Sequence, residues 1–240
     1  MRALLAAALL VLAGCTVSMG PPPAPAPAQV LRPAPVPDRL PAGTAARTFV
    51  AVVDQVEPVA ERVCREQAPR LNCDFLIVVD NRPGLPPNAF QTLDRTGRPV
   101  IGFTSALIAD ARNADELAFV LGHEAAHHIA GHIPLTQRSA GEGALVGGLL
   151  ATLGGLDPES VDTVARLGAT VGARRFSKEF ELEADALGTV IAARAGFDPV
   201  RGAAFFNRIP DPGDRFLGSH PPNADRIRVV QATAARIGLP

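Results

Sequence analysis

Nine prolines fall between Pro21 and Pro41, interleaved with alanine and a few polar residues. A stretch of this kind is poor in backbone donors and favours extended polyproline-like backbone, so it cannot supply a packed core. The proline tract therefore confines folding to residues 43–240. The 198 residues that remain (240 minus 42) suit one domain and are enough to bury a sizeable core. That core is aliphatic: 47% of residues are hydrophobic and 20% charged, with 11 Phe but neither Trp nor Tyr, which excludes chain-wide disorder. Lys and Arg number 23 against 24 Asp and Glu, so no basic surplus exists to attract nucleic acid.

Ahead of the prolines, Met1-Arg2 and an unbroken apolar run from Ala3 to Ala13 read as an export signal. The run is too short to span a bilayer, which takes roughly 20 residues. Its ending, Leu12-Ala13-Gly14-Cys15, resembles the bacterial lipobox, which implies a signal peptide over 1–14, a lipidated Cys15, and a Pro/Ala-rich linker over 15–42 that tethers the domain to a membrane. Thr16 and Val17 follow the cysteine with no Asp, which by the lipoprotein sorting rule implies the outer membrane. Cys64 and Cys73 are then left as an even pair nine positions apart in an oxidising compartment, where a bridge or two buried thiols would both fit.

Along the domain, Phe49, Val52, Val53, Val56, Ala60 and Val63 follow helical spacing behind a Thr44 cap, with a kink expected at Pro58. Phe75 to Val79 reads as a strand buried on both faces, and Ala89–Leu93 with Pro99–Phe103 as a hairpin turned at Asp94 to Gly97. A short helix from Thr104 or Ser105 precedes a longer one, capped by Asn113 and Glu116 and running to about His132. Gly141 to Leu156 is Gly-rich and apolar, too short to span a bilayer but adhesive for a wetted surface. Helices are expected from Pro158, over Phe176–Ala195, over Val200–Arg208 and over Asn223–Ile237. The fold class is thus α+β, mostly α, with a small sheet.

His123-Glu124-Ala125-Ala126-His127 is an HExxH pentapeptide. Residues four apart share a helical face, so both imidazoles can reach one metal ion, with the Glu124 carboxylate beside the open position as general base and acid. A third ligand must come from elsewhere. A metzincin would place Gly and His where Ala130 and Ile133 stand, which disfavours that class. Glu179, Glu181 and Glu183 lie downstream on another helix. Glu181 and Asp185 share a face with small Ala184 and Gly188, which permit close helix approach, while Glu179 and Glu183 share a different face with Arg175 one turn before Glu179, read as solvated. His128 and His132 read as structural, the latter in the last turn of the HExxH helix.

The ordered series Asn88-Ala89-Phe90, Glu116-Leu117-Ala118, the HExxH motif, Glu181-Leu182-Glu183-Ala184-Asp185, Gly196-Phe197-Asp198-Pro199 and Ser219-His220-Pro221-Pro222 resembles gluzincin metallopeptidases of the HtpX, CAAX prenyl protease and Oma type. Among these it is most similar to periplasmic β-barrel assembly-enhancing proteases. The resemblance implies a zincin-like domain over 43–240 that binds one Zn2+ through His123, His127 and Glu181, with Asp185 behind the ligands. It implies a peptidase acting on unfolded or misassembled envelope proteins. His220 in the His-Pro segment is expected either to fill the fourth metal position in a latent form or to stabilise the oxyanion. No tetratricopeptide-like array is present, so recruitment through such repeats is not expected. The rival reading is a non-proteolytic or latent envelope chaperone with Gly141 to Leu156 as its contact surface.

Overall fold

The computed structural model describes residues 39–174, 177–211 and 220–239. The export signal, Cys15 and most of the proline-rich linker lie outside the described residues, as do Arg175, Phe176 and Ser219. The first element, α1 (Ala42–Gln67), buries Phe49, Val52, Val56, Ala60 and Val63 along one face. It starts two residues before Thr44: the Pro41 carbonyl accepts from the amides of Thr44 and Ala45. Pro58 sits inside this single helix. The apolar stripe continues on both sides of it, and that packing offsets a proline penalty of about 3 kcal/mol.

Three strands follow, β1 (Leu76–Asp80), β2 (Ala89–Leu93) and β3 (Pro99–Thr104). They pair in the order β1-β3-β2, with β1 parallel and β2 antiparallel to β3. Both faces of β3 are buried, with Ile101 and Phe103 on one and Gly102 and Thr104 on the other, whereas β1 lies at an edge with Leu76 and Val79 partly in water. The expectation for Phe75 to Val79 is corrected accordingly: an apolar β-branched run does not say whether one neighbour or two will flank it. Cys64 at the end of α1 and Cys73 ahead of β1 are joined by a disulfide.

The helical body begins with α2 (Ser105–Asp110), capped by the Thr104 hydroxyl, and α3 (Ala114–Ile129), capped by the Asn113 side chain accepting from Glu116 N–H. Gly131, at φ 70°, ends this helical run and opens α4 (His132–Leu153). Then come α5 (Pro158–Arg174), α6 (Ser177–Arg194), α7 (Pro199–Ala203), a 3-10 turn (Ala204–Asn207) and α8 (Asn223–Arg236). The main core lies between α1, α3 and the sheet, with a smaller cluster of Phe119, Ala203, Phe206 and Val230 on the other side of α3. Buried acids of the first turn of α3 fasten that second side. Glu116 takes a two-pronged pair from Arg208 at 2.6 and 2.8 Å, and Asp115 pairs with Arg201. Helix α3 is therefore covered on both sides and fixed at its start.

Candidate metal centre

The site forms where α3 and α6 cross. Gly122 and Gly188 meet there backbone to backbone: a Cβ on Gly188 would stand 2.8 Å from the His123 nitrogen, and one on Gly122 would stand 2.8 Å from the Gly188 carbonyl. Only two glycines permit this approach, and it places the His123–His127 face of α3 against the Glu181–Asp185 face of α6. The Nε2 atoms of His123 and His127 lie 3.1 Å apart. Each is 3.5 Å from a Glu181 carboxylate oxygen. Donors held tetrahedrally at zinc–ligand distances of about 2.0–2.2 Å are themselves roughly 3.3–3.5 Å apart. The spacing of the three donors fits one zinc ion. Among the described residues, no other His, Cys, Asp or Glu group gathers in this way.

The far ring nitrogens are also engaged. His123 Nδ1 lies 2.9 Å from Asp185 Oδ1, and Asp185, fully buried, receives Nε and Nη2 of Arg226 at 2.7 Å each. Arg226 also reaches Glu181 at 3.4 Å and stacks over the Phe206 ring, so α8 ties together the carboxylates of α6. His127 Nδ1 lies 2.8 Å from Nδ1 of His132, whose Nε2 lies 3.3 Å from Glu183. The His132 ring is stacked on Phe180 at 4.3 Å.

Two readings from the sequence need correction here. His132 is not the last turn of the HExxH helix but the first residue of α4, turned back towards His127 by the left-handed Gly131. Glu183, although 61% exposed, is not merely solvated but faces His132. No spacing rule links positions 127, 132 and 183, because a reversal at one glycine makes the contact. Arg226 likewise carries no signal in helical periodicity. His128 is turned away from the centre and contacts the Asn72 carbonyl at 2.7 Å, beside the disulfide. His220 reaches the site from ahead of α8, with Nδ1 3.1 Å from Glu181 and its side chain 52% exposed.

Burial penalises charge on every group here, and the partners decide what survives. Although desolvation opposes it, the His123 imidazolium is favoured by its hydrogen bonds to Asp185 and Glu181, and its pKa is pushed up to about 10. His127 is depressed to about 3 by burial and by the positive charge on His123. Glu181 and Asp185 are held below the ordinary carboxylate range despite burial, Glu181 by hydrogen bonds from His123 and His220 and Asp185 by Arg226 and His123. The pocket is thus built to hold one positive charge between carboxylates. Glu124 shifts the opposite way, since burial raises its pKa. Its side chain lines the same cavity of about 460 Å³, together with Pro87, Asn88 and Ala89 of the sheet edge and Phe205 and Ile209.

A helix-borne HExxH facing a glutamate on a crossing helix, beside a small sheet, defines a zincin-like metallopeptidase domain. The chain belongs to peptidase family M48, whose model matches residues 51–234, and members of this family use zinc. It is 32% identical over 164 residues to the mitochondrial metalloendopeptidase OMA1 of Saccharomyces cerevisiae, covering 63% of this chain and 44% of that one. It is 30% identical over 133 residues to a putative beta-barrel assembly-enhancing protease of Vibrio cholerae, covering 51% and 26%. With the beta-barrel assembly-enhancing protease of Escherichia coli it is 32% identical over 115 residues, covering 45% and 23%. The chain spans less than half the length of these relatives.

Proposed function

We propose that this chain is a zinc-dependent endopeptidase of the bacterial cell envelope, acting on unfolded or misassembled envelope proteins. The observation that carries the reading is the spacing of the three donors, 3.1 to 3.5 Å, with the Glu124 carboxylate in the same cavity. His123, His127 and Glu181 would hold one zinc, which when bound polarises the scissile carbonyl and acidifies the attacking water. Glu124 takes the proton from that water and returns it to the leaving amine. In the metal-free chain burial raises its pKa, which makes it a stronger base than an exposed carboxylate.

The β2 edge, unpaired on its outer side among the described residues, runs beside the cavity. An extended substrate added there would be aligned by main-chain hydrogen bonds, a mode indifferent to sequence and suited to unfolded clients. His220 either donates to the developing oxyanion or, in a latent form, occupies the fourth position, and its contact with Glu181 supports a role at the centre. The envelope setting draws on the export signal and the lipobox-like cysteine, and on the names of the Vibrio and Escherichia relatives. Anchoring of Cys15 at the periplasmic face of the outer membrane belongs to the same proposal. Glu124→Gln is the direct test: zinc content by mass spectrometry should stay near one per chain while cleavage of an unfolded protein falls by ~100-fold or more. Retained cleavage would overturn the assignment.

A further inference from the structure

The pair α4 and α5 is built the reverse of a water-soluble helical hairpin. Its seam is made of small residues in two Gly-xxx-Gly steps, Gly143/Gly147 on α4 and Gly168/Gly172 on α5. A Cβ on Gly143 would stand 2.1 Å from the Gly168 carbonyl, and one on Gly172 would stand 2.0 Å from the Ser139 carbonyl. The large side chains point outward instead. Leu145, Leu149, Leu150 and Leu153 are 59 to 76% exposed, and Leu167 on α5 is 61% exposed. No charged residue falls between Gly143 and Leu156. Small residues in the seam and aliphatic ones outside are what helices adopt when the surrounding medium is itself apolar.

We infer that this hairpin rests on a lipid bilayer, with its leucine face in the acyl boundary and its polar face in water. Side-chain chemistry favours lipid over a protein partner, and the charge pattern favours lying on the bilayer over crossing it. The exposed face is made of Leu and Val, without the aromatic, Met and Arg residues that mark protein interfaces. On α5 the charges Glu159, Asp162 and Arg166 follow helical spacing on one side while Leu167 and Val171 lie on another, the pattern of a helix lying in an interface rather than crossing it. Among the described residues, no helix is long and apolar enough to cross a membrane. The chain ahead of the domain supplies proximity: a proline-rich segment from Cys15 to Pro41 would reach roughly 80 Å if extended, and its first residue is the expected lipid site. The inference rests on the anchored-envelope reading for that proximity alone.

The sequence has no Trp, so a single introduced one reports its own surroundings. Full chain carrying Leu149→Trp, and a control carrying Val50→Trp on the exposed side of α1, would be reconstituted into phosphatidylethanolamine and phosphatidylglycerol vesicles with brominated acyl chains. Leu149→Trp emission should move to shorter wavelength and be quenched by bromine, and Val50→Trp should do neither. Emission that stays aqueous in a vesicle-bound chain overturns the inference. A blue shift that grows with protein concentration before vesicles are added overturns it in favour of a second copy of the chain. Intact mass of the same preparation reports lipid on Cys15 separately, so a missing anchor and a dry-docked hairpin are told apart. In full chain carrying Cys15→Ser, adding Leu149→Glu with Leu153→Glu should lower vesicle partitioning by ~100-fold or more, as loss of two buried leucines requires, with zinc content unchanged. Equal partitioning would count against the leucine face.

Discussion

At the scale of single residues, the two ligand histidines differ in what stands behind them. Behind His123 is a carboxylate fixed by an arginine; behind His127 is another imidazole. If His127 offers Nε2 to the metal, its Nδ1 carries the proton and donates to His132 Nδ1, so His132 Nε2 must in turn donate to Glu183. His132→Phe preserves the stacking on Phe180 and removes the acceptor. Zinc affinity, read by competition with a chromophoric chelator, should fall by ~10- to 100-fold, and His132→Asn should recover part of it. Unchanged affinity in His132→Phe would make His132 a packing residue. The raised pKa of His123 carries a pH consequence in the metal-free chain. A group whose folded pKa lies above its unfolded one stabilises the fold fully below 6.5, and that contribution is lost as pH rises through about 10. His127, His128 and His132, which burial depresses in the fold, lose their unfolded-state protons around pH 6.5 and oppose the slope there, so the His123 contribution is read above about pH 8. Urea unfolding of metal-free protein should therefore show stability declining from about pH 8 to 10, and zinc binding near neutral pH should release a proton measurable by calorimetry in two buffers. Stability that rises over this window would contradict the assignment.

At the scale of elements, the centre depends on how closely α3 and α6 approach. Gly188→Ala gains helix propensity, about 1 kcal/mol, yet its new methyl meets His123 backbone at 2.8 Å. Neither backbone can yield as a flexible side chain would, so the overpacking cost of roughly 1–3 kcal/mol should prevail. Thermal unfolding of the metal-free variant should occur at lower temperature, and zinc should bind more weakly as the donors part. A variant as stable as wild type with full zinc affinity would show that the crossing has slack. The Gly188 role was readable in advance, because Glu181, Ala184, Asp185 and Gly188 share one helical face. The edge position of β1 was not, because strand order is set by pairing partners distant in the chain. Nor was the passage of α1 through Pro58, which is decided by the tertiary packing of Val56, Val59, Ala60 and Val63.

At the scale of the whole molecule, the hairpin stands apart energetically: α4 and α5 pack chiefly on each other and touch α3 and α6 only at their base. Ser139 and Gly172 are in backbone contact at that base, so the chain can be closed there. Replacing residues 141–170 with a short Gly-Ser turn should leave a folded domain that still binds one zinc, as circular dichroism and metal analysis would report. Loss of zinc binding would show that the hairpin holds up the centre. What the sequence determined by itself was local and periodic: the HExxH face, the Glu181–Asp185 face, the cap at Asn113, and the family series that joins them. These follow from spacing along a helix and from backbone donors that need capping, which neighbours in sequence decide. What only the tertiary structure decided were contacts between groups with no common period. Arg226 bridges Asp185 and Glu181 from α8, the left-handed turn at Gly131 delivers His132 to His127, and the leucines of α4 and α5 face outward because glycines fill the seam. A one-dimensional pattern records which face of an element is apolar, but which surface that face meets is fixed by chain reversals and close approaches in three dimensions.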